Sequence, residues 1–465
     1  MPNRFIVAGF GLIGIQVIEE LLSLGIDPSE ITVIDPNEFR NNPGNRNSLE
    51  SREISEIFHR NKVNKGLSKR ELSLDDLGSV TKSQTYFWGA SCLPPMRFQI
   101  PNSGYNSESI SNSYSSVTKS IGIQATYSSK SEDLNFPFTQ EIMNELPRKK
   151  LASQWVESSE GEVYHSRLAI SSSSKSGCTF HGTCFEGCPN NSIWNPSNHI
   201  TAYRNEFSEI NKVNSSVERI DSKRRVVSTS SGLELSYDRL FVTAGAQVSR
   251  RIVSSIYPSQ DIRLKSSPVV LIPFLVRGGV TISDFKSHFV MADLVIPFMD
   301  ENGLAAMTQI YLPTTEIAGR VLLQTPELLG KLSLGLPTKN LEFLMRHIGI
   351  AMLFAPGCES DLPKTKVKKI VREPIAQLRK VLERNGAVLI NEPRRYILNH
   401  NSHHSGAIYS AEDSANNAGI NSKIYSNLKS LGIRLLDATV LPEIPPGPHT
   451  LAAASLARLE ARINE

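Results

Sequence analysis

The chain opens on an apolar run, Phe5 to Ala8, that breaks at Gly9, Gly11 and Gly14 and resumes at Ile13, Val17, Ile18, Leu21 and Leu22. The first run predicts a short buried strand, and the 3.6-residue recurrence predicts an amphipathic helix stopped by Gly25. Ile31 to Ile34 predicts a second strand ending at Asp35. From Asn37 to Ser131 the chain is rich in Ser and Asn and weakly periodic, which predicts a surface-wrapping segment apart from the apolar patch Tyr86 to Ala90. The region from the cysteine run through Pro196 reads as irregular. Val213 to Ile220, Arg225 to Thr229 and Leu233 to Leu235 predict a small β-meander, and Arg239 to Thr243 a strand running into Ala244-Gly245-Ala246. Val269 to Val276, Phe289 to Phe298 and Ala306 to Leu312 predict a separate sheet. Leu341 to Leu353 and Ile375 to Glu383 read as helices, with Pro374 just ahead of the second, where proline is tolerated. The chain closes on a strand at Ile433 to Leu436, then Asp437, a Pro-rich loop, and a helix from Thr450 to Ile463.

At 465 residues this pattern describes an α/β protein of two domains. The net charge is only +4, and the basic residues fall in short scattered runs, such as Lys149 with Lys150 and Lys368 with Lys369. That argues against a nucleic-acid groove. No stretch approaches about 18 consecutive apolar residues, so no membrane span is expected. Five cysteines, three of them clustered, do not form a secreted disulfide framework. A reducing, cytoplasmic compartment is the expectation, and export with a partner subunit is compatible with it.

Two motifs carry chemistry. Gly9, Gly11 and Gly14 form G-x-G-x-x-G between a strand and a helix: the first permits a tight turn, the second a close backbone approach to a pyrophosphate, the third close helix packing. Asp35, 21 residues after Gly14, is placed to accept from ribose hydroxyls. The pattern predicts nucleotide binding without separating FAD from NAD. Cys178, Cys184 and Cys188 have the spacing C-x5-C-x3-C-P. Three thiolates on an irregular loop suit a 3Fe–4S cluster, or three corners of a 4Fe–4S cluster with a further ligand. With His181 the same run could make a Cys3His zinc site, and the plainest reading is three reduced structural thiols. The three-iron cluster is the preferred expectation. Cys92 and Cys358 stand alone and are expected to be buried hydrophobes. His403 and His449 lie in polar and Pro-rich loops, where an imidazole could take a proton from an alcohol. Thr450 is a candidate N-cap for the final helix, whose positive end could face an anion such as a reduced flavin.

Together these segments resemble the glucose–methanol–choline oxidoreductase family. FIVAGFGLIG with Asp35 is similar to the family's FAD-binding start, and YFWGA around Trp88 to the segment passing near the flavin. NFPFT at Asn135 to Thr139, YDRLFVTAGAQVSRRIV at Tyr237 to Val253 and HHSGA at His403 to Ala407 resemble internal family stretches. LLDATVLPEIPPGPHTLAAASLA resembles the closing signature and is the most specific match. The resemblance implies a Rossmann-like FAD-binding domain assembled from residues 1–85, 165–260 and 395–465, with an iron–sulfur loop at 176–196. A substrate domain built on a mainly antiparallel sheet with helices would take 86–164 and 261–394. It implies that His403 is the base, that His449 positions the substrate, that Asp437 contacts the ribityl or pyrophosphate part of FAD, that Val217 contacts adenine through its backbone, and that Ala244 and Gly245 pass the cofactor. Aligning the family's proline with Pro448 would instead put Gly447 in the second catalytic place.

The cysteine run resembles that of FAD-dependent sugar dehydrogenase catalytic subunits. This implies oxidation of a CH–OH group of a sugar or polyol, with electrons leaving through the cluster to an external acceptor protein or quinone. Departures are Asp35 in place of Glu, no Gly-Gly loop before Trp88, His404 where Pro is usual, and Ala407 in place of Thr. Two rivals stand beside this reading. ITVIDPNEFRNNPGNRN resembles a stretch of zinc-carrying adenylating enzymes that activate ubiquitin-like proteins, and a non-catalytic flavoprotein subunit would retain the cofactor fold alone.

Overall fold

A computed structural model of the chain describes residues 4–36, 91–92, 105–122, 149–159, 162–166, 168–170, 178, 190, 192–196, 199–200, 204–285, 290–300, 303–318, 343–355, 357–359, 364–390, 397–398, 408–410, 419, 422–441, 444 and 446–462. His403, Trp88, Cys184 and Cys188 lie outside the described residues.

Strands β1 (Phe5–Ala8), β2 (Ile31–Ile34), β4 (Asn211–Val213), β8 (Arg239–Val242) and β18 (Ile433–Leu435) form a parallel sheet in the order β18-β8-β1-β2-β4. Its central strand is buried along its whole length, as a parallel sheet covered on both faces requires. One face carries α1 (Leu12–Ser23), α2 (Ser107–Ser120) and α7 (Thr450–Glu460) in a single apolar core. The other carries α4 (Ala246–Ile256), α6 (Lys423–Ser430) and a meander of β5 (Val217–Asp221), β6 (Val226–Thr229) and β7 (Glu234–Ser236). The run expected as one strand from Val213 to Ile220 is therefore split. Val213 belongs to the parallel sheet and Val217 opens the meander, with the chain turning between them at Ser215, whose N–H donates to the Val213 carbonyl.

The second large sheet is antiparallel. β10 (Val269–Val276), β11 (Leu294–Asp300), β12 (Gly303–Tyr311) and β13 (Ile348–Phe354) form its centre. β15 (Ala387–Leu389), β16 (Ile397–Leu398) and β3 (Tyr164–His165) extend it. One face is covered by α3 (Lys149–Ser158) and α5 (Lys364–Arg384), with Trp155 packed on Phe274. β14 (Cys358–Glu359), β9 (Ile262–Ser266) and β17 (Ile408–Ser410), drawn from three separate parts of the chain, form a small antiparallel sheet.

Four expectations are corrected here. Ile348 to Phe354 is a central strand, not part of a helix: its apolar run is buried on both faces, a pattern that periodicity does not separate from a buried helix. Pro374 sits inside the 21-residue α5, where its ring replaces an N–H that would have met the Ile370 carbonyl. Within the polar stretch from Asn37 to Ser131, α2 is a true helix, capped by Asn106 and burying Ile110, Tyr114 and Val117 at helical spacing. Its serines hide the period, yet Ser113 is itself buried and donates to the Ser455 carbonyl. Thr450 is the first helical residue of α7 rather than its N-cap, which is His449. Cys92 is fully buried, as expected. Among the described residues no helix is long and apolar enough to cross a membrane.

Helix α7 is buried on nearly every side, and its one cation is met by acids of α1. Arg458 donates to Glu20 (2.6 Å), Glu19 (3.1 Å) and Gln16 (3.0 Å), and Arg462 donates to Glu20 (2.9 Å). His199 Nε2 adds a 2.7 Å contact to Glu19. Burial pushes the Glu19 carboxyl up, but the hydrogen bonds from His199 and Ser120 and the charges of His199 and Arg458 outweigh it and leave the pKa below the ordinary value. Replacing Arg458 by Met strands two half-satisfied carboxylates against the core. Urea denaturation of Arg458→Met should show a loss of about 3 kcal/mol. A change within error would mean that Arg462 and His199 suffice to hold both acids.

Candidate functional site

The site is the edge where strands of the parallel sheet end. β1 runs into Gly9, β8 into Thr243-Ala244-Gly245, and β18 into Leu436-Asp437. Space there is too tight for side chains. A Cβ on Gly9 would lie 2.7 Å from Ala244 Cα, and Gly9 has φ +106°. A Cβ on Gly14 would lie 2.2 Å from the Gly9 carbonyl oxygen. Thr243 fixes this contact from the other side, donating its hydroxyl to Gly9 O at 2.7 Å. Asp35, buried at the end of β2, accepts the Phe10 N–H at 2.7 Å. One oxygen of the residue expected at a ribose thus holds the glycine turn.

The helix starts along this edge differ from the others. Asp27, Asn106, Ser422 and Asp437 each cap the turn or helix that follows them with a side chain. α1, α4 and α7 have no side-chain cap. Asp437 serves α4 from outside: it accepts from the backbone of Gly245 and from Ser249 Oγ at 2.5 Å, and from Thr439 N at 2.9 Å. Burial raises its pKa, and these donors only partly offset the rise. At α1 and α7 the opening N–H groups of Leu12, Ile13 and Gly14, and of Thr450, Leu451 and Ala452, meet no acceptor among the described residues. Both helix ends therefore present donors and a partial positive charge.

The ion pairs above fix how the two helices lie. Arg458, in the last turn of α7, reaches the second half of α1, so the helices run side by side in one direction. Their uncapped starts open at the same edge. A group with a diphosphate and a second delocalised anionic end fits this donor set, since each end meets a ring of backbone N–H groups.

His449 stands at the start of α7 and is 9% exposed. Its Nδ1 is 3.2 Å from the Gly447 carbonyl, which can only accept. That contact calls for the proton on Nδ1. The loop ahead of it is tied to the connection between β13 and β14: Gly357 N donates to Ile444 O at 3.0 Å, and a Cβ on Gly357 would lie 2.7 Å from Ile444 Cβ. The sheet face turned away from α3 and α5 bears Val295, Met307, Met352 and Phe354, with Tyr311 donating to Gln309 at 2.8 Å.

The structure thus brings Gly9, Gly11, Gly14, Asp35, Ala244, Gly245, Asp437, His449 and Thr450 to the strand ends of one sheet. Val217 opens the meander on the opposite face from α1. Cys178 is half-buried, and its two companions lie outside the described residues. Among the described residues no group of metal-ligating side chains gathers. Sequence reasoning missed Thr243 and Ser249, whose roles depend on contacts to residues more than 180 positions away.

A parallel sheet with a glycine turn, joined to an antiparallel sheet with helices on one face, defines the fold class expected from the sequence. No family model and no curated protein sequence matches the chain. Among solved structures it is similar to pyridoxine 4-oxidase from Mesorbium loti, at 12% identity over 99% of this chain and 98% of that one, with a TM-score of 0.52. It is also similar to a fungal aryl-alcohol oxidase, at 9% identity over 99% of this chain and 98% of that one, with a TM-score of 0.51. The likeness is one of fold, and it agrees with the fold that the glucose–methanol–choline resemblance implies.

Two measurements check this edge. Gly14→Ala should cost about 1–3 kcal/mol in thermal or urea denaturation, because backbone blocks the new methyl. Asp437 titrates at a raised value in the folded protein, so its contribution to stability is full below the ordinary carboxylate pKa and is lost as pH rises through the folded one. Denaturation midpoints of Asp437→Asn across mildly acidic pH should lack this decline, whereas an unchanged profile would assign the decline elsewhere.

Proposed function

We propose that the chain is an FAD-dependent oxidoreductase that oxidises a CH–OH group to a carbonyl. The observation that carries the reading is the pair of uncapped helix starts, α1 and α7, opening at one edge beside the buried His449. The α1 start with Gly9, Gly11 and Gly14 suits the pyrophosphate, and the α7 start suits the ring end. When bound, FAD supplies the hydride acceptor at flavin N5. The rest falls to side chains. His449 positions the substrate hydroxyl, and His403 takes the hydroxyl proton as general base. Asp437 orients Gly245 and the α4 start, and the α7 N–H groups favour negative charge in front of them.

The finer reading follows the cysteine run. Cys178, Cys184 and Cys188 would hold a 3Fe–4S cluster that passes electrons to an external protein or quinone, and the substrate would be a sugar or polyol. A second substrate reading is an aromatic alcohol. It is favoured by the apolar face of Val295, Met307, Met352 and Phe354, and the two similar structures are named for pyridoxine and aryl-alcohol oxidation. The adenylating rival leaves the α7 start and His449 without a role.

Purified protein should show a flavin absorbance band, with iron and acid-labile sulfide quantified alongside. Anaerobic mixing with sugars, polyols and benzylic alcohols should bleach the band with one class only. His403→Ala and His449→Ala should each retain flavin and slow bleaching by about 10²–10⁴-fold. Colourless protein after reconstitution with FAD would end the proposal.

A further inference from the structure

The fold gathers one strongly charged surface that the oxidoreductase reading leaves unused. Helix α5 runs for 21 residues, about 30 Å, along the helix-covered face of the antiparallel sheet. Its inner stripe of Val371, Ile375, Leu378, Val381 and Leu382 is buried. Its outer side exposes Lys366, Lys368, Lys369, Arg372, Arg379 and Lys380, against two exposed acids, Glu373 and Glu383. Among the described residues none of the six cations meets a carboxylate within ion-pair distance. Arg384, at the helix end, does pair with Glu162. The whole chain carries a net charge of only +4, so this helix concentrates much of the molecule's positive charge on one side.

The arrangement works against the helix itself. Its first turn has no acid, and Lys366 and Lys368 stand near the end where the helix dipole is already positive. Lys368 and Arg372 stand four apart and Lys369 and Arg372 three apart, spacings at which like charges repel. A layer of negative charge against the outer side would reverse every one of these terms.

We propose that the outer face of α5 docks on the surface of a bilayer rich in anionic phospholipid. The composition favours a lipid surface over a protein partner. The exposed positions carry no aromatic residue or Met, and four of the six cations are Lys, the residue depleted from protein interfaces. Long, flexible ammonium side chains along one helix suit a diffuse plane of phosphates, where each adds to the attraction. With no exposed apolar anchor, attachment is electrostatic and reversible by salt.

The test uses the full chain and co-sedimentation with phosphatidylcholine vesicles, with and without phosphatidylglycerol. Binding should require the anionic lipid and fall steeply as salt rises. The combined variant Lys368→Glu, Lys369→Glu and Arg372→Glu should partition at least about a hundredfold less, while circular dichroism and flavin content stay unchanged. Should this variant lose its fold, Arg379→Glu with Lys380→Glu on the second half of the helix provides the same comparison. Three results overturn the proposal: no binding to anionic vesicles at low salt, equal binding to neutral vesicles, or undiminished binding of a folded variant. Capture by polyglutamate under conditions where vesicles fail would assign the face to an acidic protein instead. None of these readouts depends on whether the chain oxidises an alcohol.

Discussion

Everything at the candidate site depends on a contact between backbones. Gly9 lies against Ala244, and Gly14 against the Gly9 carbonyl, at distances that no Cβ could share. The contact brings the first strand–helix turn and the crossover after β8 together without side chains between them. Thr243 and Asp35 then each use a polar atom to hold that turn. Where three strands end this close, the helix starts that follow must share one small volume. Leaving two of those starts without capping side chains turns a packing constraint into a concentration of hydrogen-bond donors.

The second layer of organisation is electrostatic. Helix α7 is set against α1 by Arg458 and Arg462 on Glu19, Glu20 and Gln16, groups that are all largely removed from water. Tyr105 and Tyr425 both donate to Glu460 on the same helix, at 2.6 and 2.8 Å. A buried charge without its partner is expensive, so these pairs fix the height and rotation of α7 more sharply than its alanine-rich surface could. His449 takes its position from that registration. Its placement is thus a property of residues at the far end of the helix.

Much of this was legible in the sequence, for identifiable reasons. The opening strands, the glycine turn and the final strand and helix carry strong local periodicity, and Gly9 and Gly14 do what their motif requires. Local pattern failed where burial was two-sided or polar residues were buried. The largely apolar run Leu341 to Leu353 reads as helix, yet Ile348 to Phe354 is a strand whose neighbours on both sides are strands. Ser113 and Thr118 hide the helical period of α2 because both are buried polar residues. Asp35 and Asp437, expected at a cofactor, also have a part in the protein's own structure: Asp35 accepts the Phe10 N–H through one oxygen, and Asp437 accepts from Thr439 N and the Gly245 backbone. Sequence spacing shows that a carboxylate is near a turn, but not which of several donors it will satisfy. Of the basic helix, local sequence marks only the short run Lys368–Lys369, because only the folded helix brings Lys368, Arg372 and Arg379 to one side.

The order of strands in the parallel sheet carries a further implication, for biogenesis. β1 pairs with β2 early in the chain, but its other neighbour, β8, lies more than 230 residues on, and the outer partner of β8 is β18, which begins at Ile433. A ribosome adding about 5–20 residues per second would need roughly 20–90 s between the first strand and the last. Throughout that interval the trough that receives α7 is an open hydrophobic surface on a nascent polypeptide. Such a topology favours post-translational closure of the domain and makes the unfinished chain a client for holdase chaperones.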